Sequence, residues 1–390
     1  MPTAMKTGME ARLDKMETTE IIVKVTEPTE WISSSVAVPK PDGSVRICLD
    51  PKDLNKALRR PKYQIPTLDE ILPDLANAKV FTVLDAKDGF HQVKLDEESS
   101  YLTTFWTPFG RYRYLRMPMG ISTASEEFQR RQIEAYEGLQ GVKVIADDTL
   151  VYGVGRTMEE AIQDHDKNLI ALFQRARERN IKYGRPKLKL KLTEAPYMGN
   201  LLTEEGLKPD PKKIEAIRDM PKPEDKKGIQ RLLGCVQYLS RFMPNLTKVS
   251  EPLRKLTEKD AIFSWQTQQE EAFQMIKTLL STAPVLKFFN VKESTTIQCD
   301  ASDGGLGATL LQQSQPVAFA SRSMTSAENN YAQIEKECLA IVFACERFDQ
   351  YIVGKDIHVE SDHKPLIPIF KKNINQAPKR LQRMLLRLQR

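Results

Sequence analysis

The stretch Val142-Lys-Val-Ile-Ala-Asp147-Asp148-Thr-Leu-Val-Tyr152 decides the fold. Two arms rich in β-branched residues flank adjacent carboxylates, the pattern of a tight hairpin with acids at its tip. Adjacent carboxylates repel each other, and a cation that neutralises both relieves the repulsion. An ordinary solvated turn is the plainer reading of an Asp-Asp pair, so its surroundings must decide. Val80-Phe-Thr-Val-Leu-Asp85 is a second apolar run that ends on a carboxylate. Three acids converging on a rigid sheet can hold two divalent ions about 3.5–4 Å apart, a clamp for in-line phosphoryl transfer.

Around this centre the pattern is mixed helix and strand. Residues 11–24 and 68–77 read as helices. Residues 34–38 and 45–49 read as strands joined by Pro41-Asp42-Gly43, a strong hairpin signal. Further strands are expected at 93–95, 101–106 and 112–115, with helices at 122–135 and 158–180. Beyond residue 180 the pattern turns helical and loop-rich. Pro209, Pro211, Pro221 and Pro223 mark a boundary, and helices follow at 229–242 and 266–280. A new unit begins at Thr295, with strands 295–299, 307–312, 317–320 and 357–361 and a helix over 327–348. It carries a second set of acids: Asp300 ends its first strand, Glu337 lies in its helix, and Asp362 ends its fourth strand.

The chain has 390 residues, 41% hydrophobic and 28% charged. That length suits two or three globular domains. No apolar run approaches the roughly 20 residues that span a bilayer, and the polar N-terminus has no secretory core. The five cysteines form no CxxC pair; buried free thiols in a reducing compartment are expected. With four histidines as well, a structural zinc site is not expected. The net charge is +6, concentrated in residues 175–191 and 371–390. Each cluster is either a solvated face or a track for a polyanion.

Several runs together resemble the Pol polyprotein of gypsy-class LTR retrotransposons. They are Trp31-Ile-Ser-Ser-Ser-Val-Ala-Val-Pro-Lys40-Pro-Asp-Gly-Ser-Val-Arg46-Ile-Cys-Leu-Asp50 with Leu54-Asn-Lys56, and Val83-Leu-Asp85-Ala-Lys-Asp-Gly-Phe90-His-Gln-Val-Lys-Leu95. Thr104-Phe-Trp-Thr-Pro-Phe-Gly-Arg-Tyr112, Met117-Pro-Met-Gly-Ile121, Glu127-Phe-Gln-Arg130 and Val144-Ile-Ala-Asp-Asp148 follow in order. The resemblance implies an α+β right-hand polymerase with fingers, palm and thumb, followed by a partial ribonuclease H-like mixed α/β domain. Fingers and palm are then expected over 1–207, thumb over 208–253, a connection over 254–294 and the ribonuclease H-like domain over 295–390.

By the same resemblance Asp85, Asp147 and Asp148 are the palm's metal-binding catalytic triad. Arg46 and Lys40 grip the incoming triphosphate, Phe90 is the steric gate against a ribose 2′-OH, and Met119 and Gly120 lie against the template and nascent pair. Tyr197-Met-Gly-Asn-Leu-Leu202 resembles a primer grip. Asp300, Glu337 and Asp362 are catalytic metal ligands of ribonuclease H; Glu337 suits the helix motif better than Glu335. The implied activity is RNA-directed DNA synthesis with two Mg²⁺ (or Mn²⁺) ions per site. The implied partners are an RNA template, a DNA primer, dNTPs and an RNA–DNA hybrid. No membrane partner is expected, and the setting is intracellular, in the cytoplasm, a virus-like particle or the nucleus. A decayed or co-opted nucleic-acid-binding protein is the rival reading. The chain departs from the family pattern at Ile145, where retroviral relatives usually carry Tyr. It departs also at Met119, where many members carry an aromatic, at Ser125, which replaces a proline, and near Leu188, where a cysteine is common.

The family's fourth ribonuclease H acid follows a fifth strand, beyond Arg390. Without that ligand, little or no cleavage of an RNA–DNA hybrid is expected from this chain. Robust cleavage that disappears in Asp300→Asn would overturn the expectation.

Overall fold

The computed structural model describes residues 6–39, 43, 45–302, 304–371 and 373–389. Lys40 lies outside the described residues. The chain divides into two compact units, Met1–Leu68 with Val80–Leu192, and Asp69–Lys79 with Thr193–Arg390.

The first unit holds β1 (Ile22–Lys24), β2 (Ser34–Pro39), β3 (Val45–Asp50), most of β4 (Ala78–Asp85), β5 (Phe105–Thr107), β6 (Gly110–Tyr114), β7 (Val142–Ile145), β8 (Asp148–Val154) and β9 (Lys189–Leu192). β2 and β3 form the expected hairpin, with Val38 opposite Arg46. A small sheet runs β1-β6-β5, and the sheet that carries the aspartates runs β7-β8-β4-β9. β4 and β8 lie inside that sheet and are buried along most of their length, so they read as nearly continuous apolar runs. The helix Met158–Glu178 packs on β8 and starts at a Thr157–Glu160 capping box. Its Leu169 and Leu172 join Leu84, Tyr136, Val144 and Val151 in one apolar cluster beneath the carboxylates.

Three local expectations fail here. The helix expected over 11–24 runs Lys6–Thr18, and Ile22 instead enters β1, paired with Tyr114. Residues 101–106 are not one strand. A helix Glu97–Leu102, capped by the Asp96 carboxylate accepting from Ser99 N, occupies the first part, and β5 begins only at Phe105. The 93–95 segment forms no named strand, only an isolated bridge between Lys94 and Arg116.

In the second unit, β10 (Glu194–Tyr197), β11 (Asn200–Thr203) and β12 (Gly206–Pro209) form an antiparallel meander where helix and loop were expected. Each strand has four residues, and Pro196 and Pro209 disguise the alternation. Met198 and Gly199, both at positive φ (47° and 69°), make the two-residue turn between β10 and β11. Pro211, one of the prolines at the expected boundary, starts a helix, Pro211–Arg218, N-capped by Asp210. Helices Lys226–Tyr238, Leu246–Lys255 and Thr267–Ser281 follow. β13 (Thr295–Ala301), β14 (Gly305–Gln312), β15 (Gln315–Ser323) and β16 (Ile357–Glu360) then form a sheet in the order β15-β14-β13-β16. β16 runs parallel to β13, and the other neighbours are antiparallel. The helix expected over 327–348 is two, Ser326–Asn329 and Gln333–Arg347. The break occurs where Glu335 turns back to accept from Ala332 N at 3.1 Å. Asp362 lies two residues past β16 rather than at its end.

No helix among the described residues is long and apolar enough to cross a membrane. All five cysteines are free; Cys299 and Cys338 are buried, but Cys235 is exposed, against expectation.

Candidate active sites

Asp85 is the last residue of β4, and Asp148 is the first of β8, the neighbouring strand. Ile145 pairs with Asp148, so Ala146 and Asp147 alone reverse the chain. Ala146 adopts a left-handed conformation, φ 52°, which costs a residue with a Cβ roughly 1–2 kcal/mol. Gln129, fully buried on the helix Ala124–Tyr136, holds the reversal. Its Oε1 accepts from Ala146 N at 2.6 Å and its Nε2 donates to the Val144 carbonyl at 2.9 Å. Ala86 N donates to the Asp147 carbonyl at 3.2 Å, joining the hairpin to the residue after Asp85.

The charge of Asp85 reaches both residues of the hairpin tip. The Asp147 carboxyl is held above the usual carboxylate range by burial and then by the charge of Asp85. Asp148 is raised by burial, by Asp85 and by Asp147. Lys187 opposes both shifts, and its Nζ lies 2.9 Å from Asp85 Oδ1. Lys187 is thus one of the cations around this acidic centre, and Lys189 also opposes the rise at Asp148. The clustered carboxylates and their oxygen donors fit divalent magnesium or manganese.

Gly89 allows the segment bearing Phe90 to approach. A Cβ there would lie 2.9 Å from the Phe128 ring and 3.3 Å from Asp147 Oδ1. Phe90 itself is half-buried, edge-on to Phe128 with ring centroids 5.5 Å apart. Met119 and Gly120 lie against the end of β3 at Leu49. Leu49 N donates to the Met119 carbonyl at 3.0 Å. Asn55 clamps the loop by donating to the Gly120 carbonyl (2.9 Å) and accepting from Ser122 N (2.8 Å). Gly120 has φ 109°, and any Cβ there would overlap the Leu49 carbonyl. Arg46 stands exposed on β3.

A second acidic centre lies in the second unit. Asp300, Glu337 and Asp362 each offer a carboxylate oxygen within 4.8 Å of the others, as no other group of acids does among the described residues. Glu337 is 3% exposed. Its Oε1 accepts from Gln333 Nε2 at 2.7 Å, while its buried Oε2 has no partner among the described residues. Burial raises the Glu337 carboxyl, and Asp362 and Asp300 raise it further. A buried oxygen without a donor destabilises the fold by about 1–3 kcal/mol. A cation shared with Asp300 and Asp362 would relieve that cost, so this donor set also fits a hard divalent ion.

The family described as "Reverse transcriptase (RNA-dependent DNA polymerase)" matches residues 38–218, and "RNase H-like domain found in reverse transcriptase" matches residues 265–359. The chain carries a reverse transcriptase domain and a ribonuclease H-like domain. Its homologues are transposon Pol polyproteins. The Pol polyprotein of transposon 297 from Drosophila melanogaster is 34% identical over 356 residues, covering 90% of this chain and 33% of the relative. The chain thus spans about a third of that polyprotein. A foamy viral protease-reverse transcriptase (dRH) in complex with double-stranded DNA shares its fold, with TM-score 0.88 and 21% identity over 100% of this chain and 69% of that one. The foamy viral enzyme in complex with an RNA/DNA hybrid gives TM-score 0.83 and 22% identity, over 100% of this chain and 52% of that one. The reverse transcriptase match encloses Asp85, Asp147 and Asp148. The ribonuclease H-like match encloses Asp300 and Glu337 and ends before Asp362.

Sequence reasoning missed Lys187, Gln129 and Gln333 as neighbours of the acids. Lys187 was counted only as part of a basic run, whose members prove partly engaged. Lys191 pairs with Asp166 at 2.8 Å and Arg175 with Glu178 at 3.4 Å. In the C-terminal cluster Arg380 pairs with Glu335 at 2.6 Å and Arg387 with Glu346 at 2.7 Å.

Gln129→Leu leaves Ala146 N and the Val144 carbonyl without partners, and about 2 kcal/mol of stability should be lost in urea unfolding. The pH dependence of Asp147 has a definite sign. A carboxyl raised in the fold destabilises the native state at neutral pH, where the unfolded carboxyl is ionised. That penalty fades as pH falls through the native value toward the unfolded value of about 3.9. Asp147→Asn should therefore raise Tm at pH 7 and lose its advantage on acidification. A variant melting below wild type at pH 7 would contradict the assignment.

Proposed function

We propose that this chain is the RNA-directed DNA polymerase of a gypsy-class LTR retrotransposon. The observation that carries the reading is the placement of Asp85 at the end of β4 beside Asp148 at the start of the neighbouring β8, with Asp147 at the turn; burial and then the charge of Asp85 hold Asp147 and Asp148 above the ordinary carboxylate range. These three side chains would hold two magnesium or manganese ions. Such ions supply Lewis-acid charge at the reacting phosphate and lower the pKa of an attacking hydroxyl.

The reaction extends a primer by one nucleotide, as its 3′-OH attacks the α-phosphate of a dNTP and pyrophosphate leaves. The chain's own residues bind and orient. Arg46, exposed on β3, holds the triphosphate by charge, with Lys40. The Phe90 ring, braced edge-on by Phe128, stands where a ribose 2′-OH would collide with it. The Met119–Gly120 loop, fixed by Asn55, faces the template and the nascent pair. RNA template, DNA primer and RNA–DNA hybrid are the nucleic-acid partners, bound mostly through phosphates and 2′-OH groups. Asp300, Glu337 and Asp362 would hold the divalent ions of the ribonuclease H-like domain.

The test is primer extension on an RNA template with dNTPs and magnesium, comparing wild type with Asp147→Asn. Removing one metal-binding carboxylate should lower the rate by at least about a hundredfold, by analogy with the loss of a single charge-stabilising group in other active sites. Equal extension by both proteins would refute the assignment. No extension by either, with hybrid still bound, would favour the binding-protein reading.

A further inference from the structure

The segment after the long helix, Lys182-Tyr183-Gly184, lies antiparallel to Asp85-Ala86-Lys87. Gly184 N donates to the Asp85 carbonyl at 2.9 Å, and Lys87 N donates to the Lys182 carbonyl at 2.9 Å. Tyr183 bridges Ala86 at the centre of this pairing. Its backbone is thus fixed to the residue that follows Asp85. Its side chain dips into the apolar cluster under the site, edge-on to Phe173. There the hydroxyl donates to Thr149 Oγ1 at 3.3 Å and lies 2.6 Å from the Tyr136 hydroxyl. Thr149 immediately follows Asp148 and is fully buried. One residue therefore touches both chain segments that deliver the aspartates.

Packing alone does not require this arrangement. A phenylalanine at 183 would fill the same space against Phe173, Leu172 and Val151 without placing a hydroxyl in an apolar cluster. Burying a hydroxyl is unfavourable unless it is hydrogen-bonded, and here three hydroxyls satisfy one another. Such a chain is directional in a way that apolar contact is not, because its donor–acceptor distances set the height of Thr149 relative to the Tyr183 backbone.

We propose that Tyr183 is a positioning residue for the polymerase centre, a clamp that sets the separation of Asp85 from Asp148 through the Tyr136–Tyr183–Thr149 hydroxyl chain. The proposal rests on the polymerase reading for its kinetic consequence but not for its structural one. Residues that orient metal-binding groups typically alter metal affinity or activity by about 10–100-fold when replaced. Tyr183→Phe should therefore keep an unfolding midpoint close to wild type. It should lower kcat for primer extension about tenfold and leave KM for dNTP within about twofold, because no contact to the nucleotide changes.

A second readout does not need activity. Mn²⁺ binding to the full chain is followed by electron paramagnetic resonance, and the component lost in Asp147→Asn identifies the palm site. Affinity of that component should fall about tenfold in Tyr183→Phe. Thr149→Val, which removes the acceptor at the other end, should reproduce both effects and serves if Tyr183→Phe does not fold. Wild-type kcat and Mn²⁺ affinity in these variants, or lost stability alone, would overturn the clamp and leave the polymerase reading standing. A wild-type chain that binds Mn²⁺ at the palm and never extends a primer would sink the polymerase reading. The clamp would then stand or fall on the Mn²⁺ affinities. A wild-type chain that does neither overturns both.

Discussion

Like charges brought together in a partly dry site repel, and the first unit is organised around that repulsion. Asp85 ends a strand that is buried along most of its length, and Asp148 begins another. The two strands are neighbours in the sheet, so the carboxylates cannot relax apart without breaking strand pairing. The hairpin tip cannot relax either, because Gln129 holds Ala146 in a backbone conformation that a residue with a side chain disfavours. Lys187 offsets part of the field at Asp85. Many features of this unit, from the buried glutamine to the close approach at Gly89, serve to keep three anions where they would not stay unaided.

The two acidic centres resolve the same problem in different ways. In the second unit the acids close to within 4.8 Å, and one Glu337 oxygen is buried without a partner. There His363 opposes the rise at Glu337, whereas Lys187 sits against Asp85 in the first centre.

Much of this was legible in the residues because the acids stand at the ends of apolar runs. A run such as Val80–Asp85 can only be a buried strand, and a polar residue where it leaves the core is conspicuous. The β2–β3 hairpin was legible for a related reason, since Pro-Asp-Gly permits few other chain paths. The β10–β12 meander was not, because four-residue strands carry too few alternations and Pro196 and Pro209 look like punctuation. The helix Glu97–Leu102 was hidden likewise: its cap, Asp96, is clear only in retrospect, and the aromatic residues beyond it suggested a strand. Long-range side-chain pairs were out of reach altogether. Nothing local to Lys187 indicates that its partner lies 102 positions earlier.

The same limit explains why the supporting residues around Asp85 and Asp148 escape a motif-based reading. Tyr183 stands in a basic, loop-like stretch, and its neighbours Lys182 and Arg185 draw attention as charges. Its importance comes from two contacts on opposite sides of one residue, the backbone to Ala86 and the hydroxyl to Thr149. Neither contact leaves a periodic or compositional trace. An active centre built from distant strands depends on such links, and here the hydroxyl chain ties the segment after Asp85 to the segment after Asp148 independently of the sheet's own hydrogen bonds.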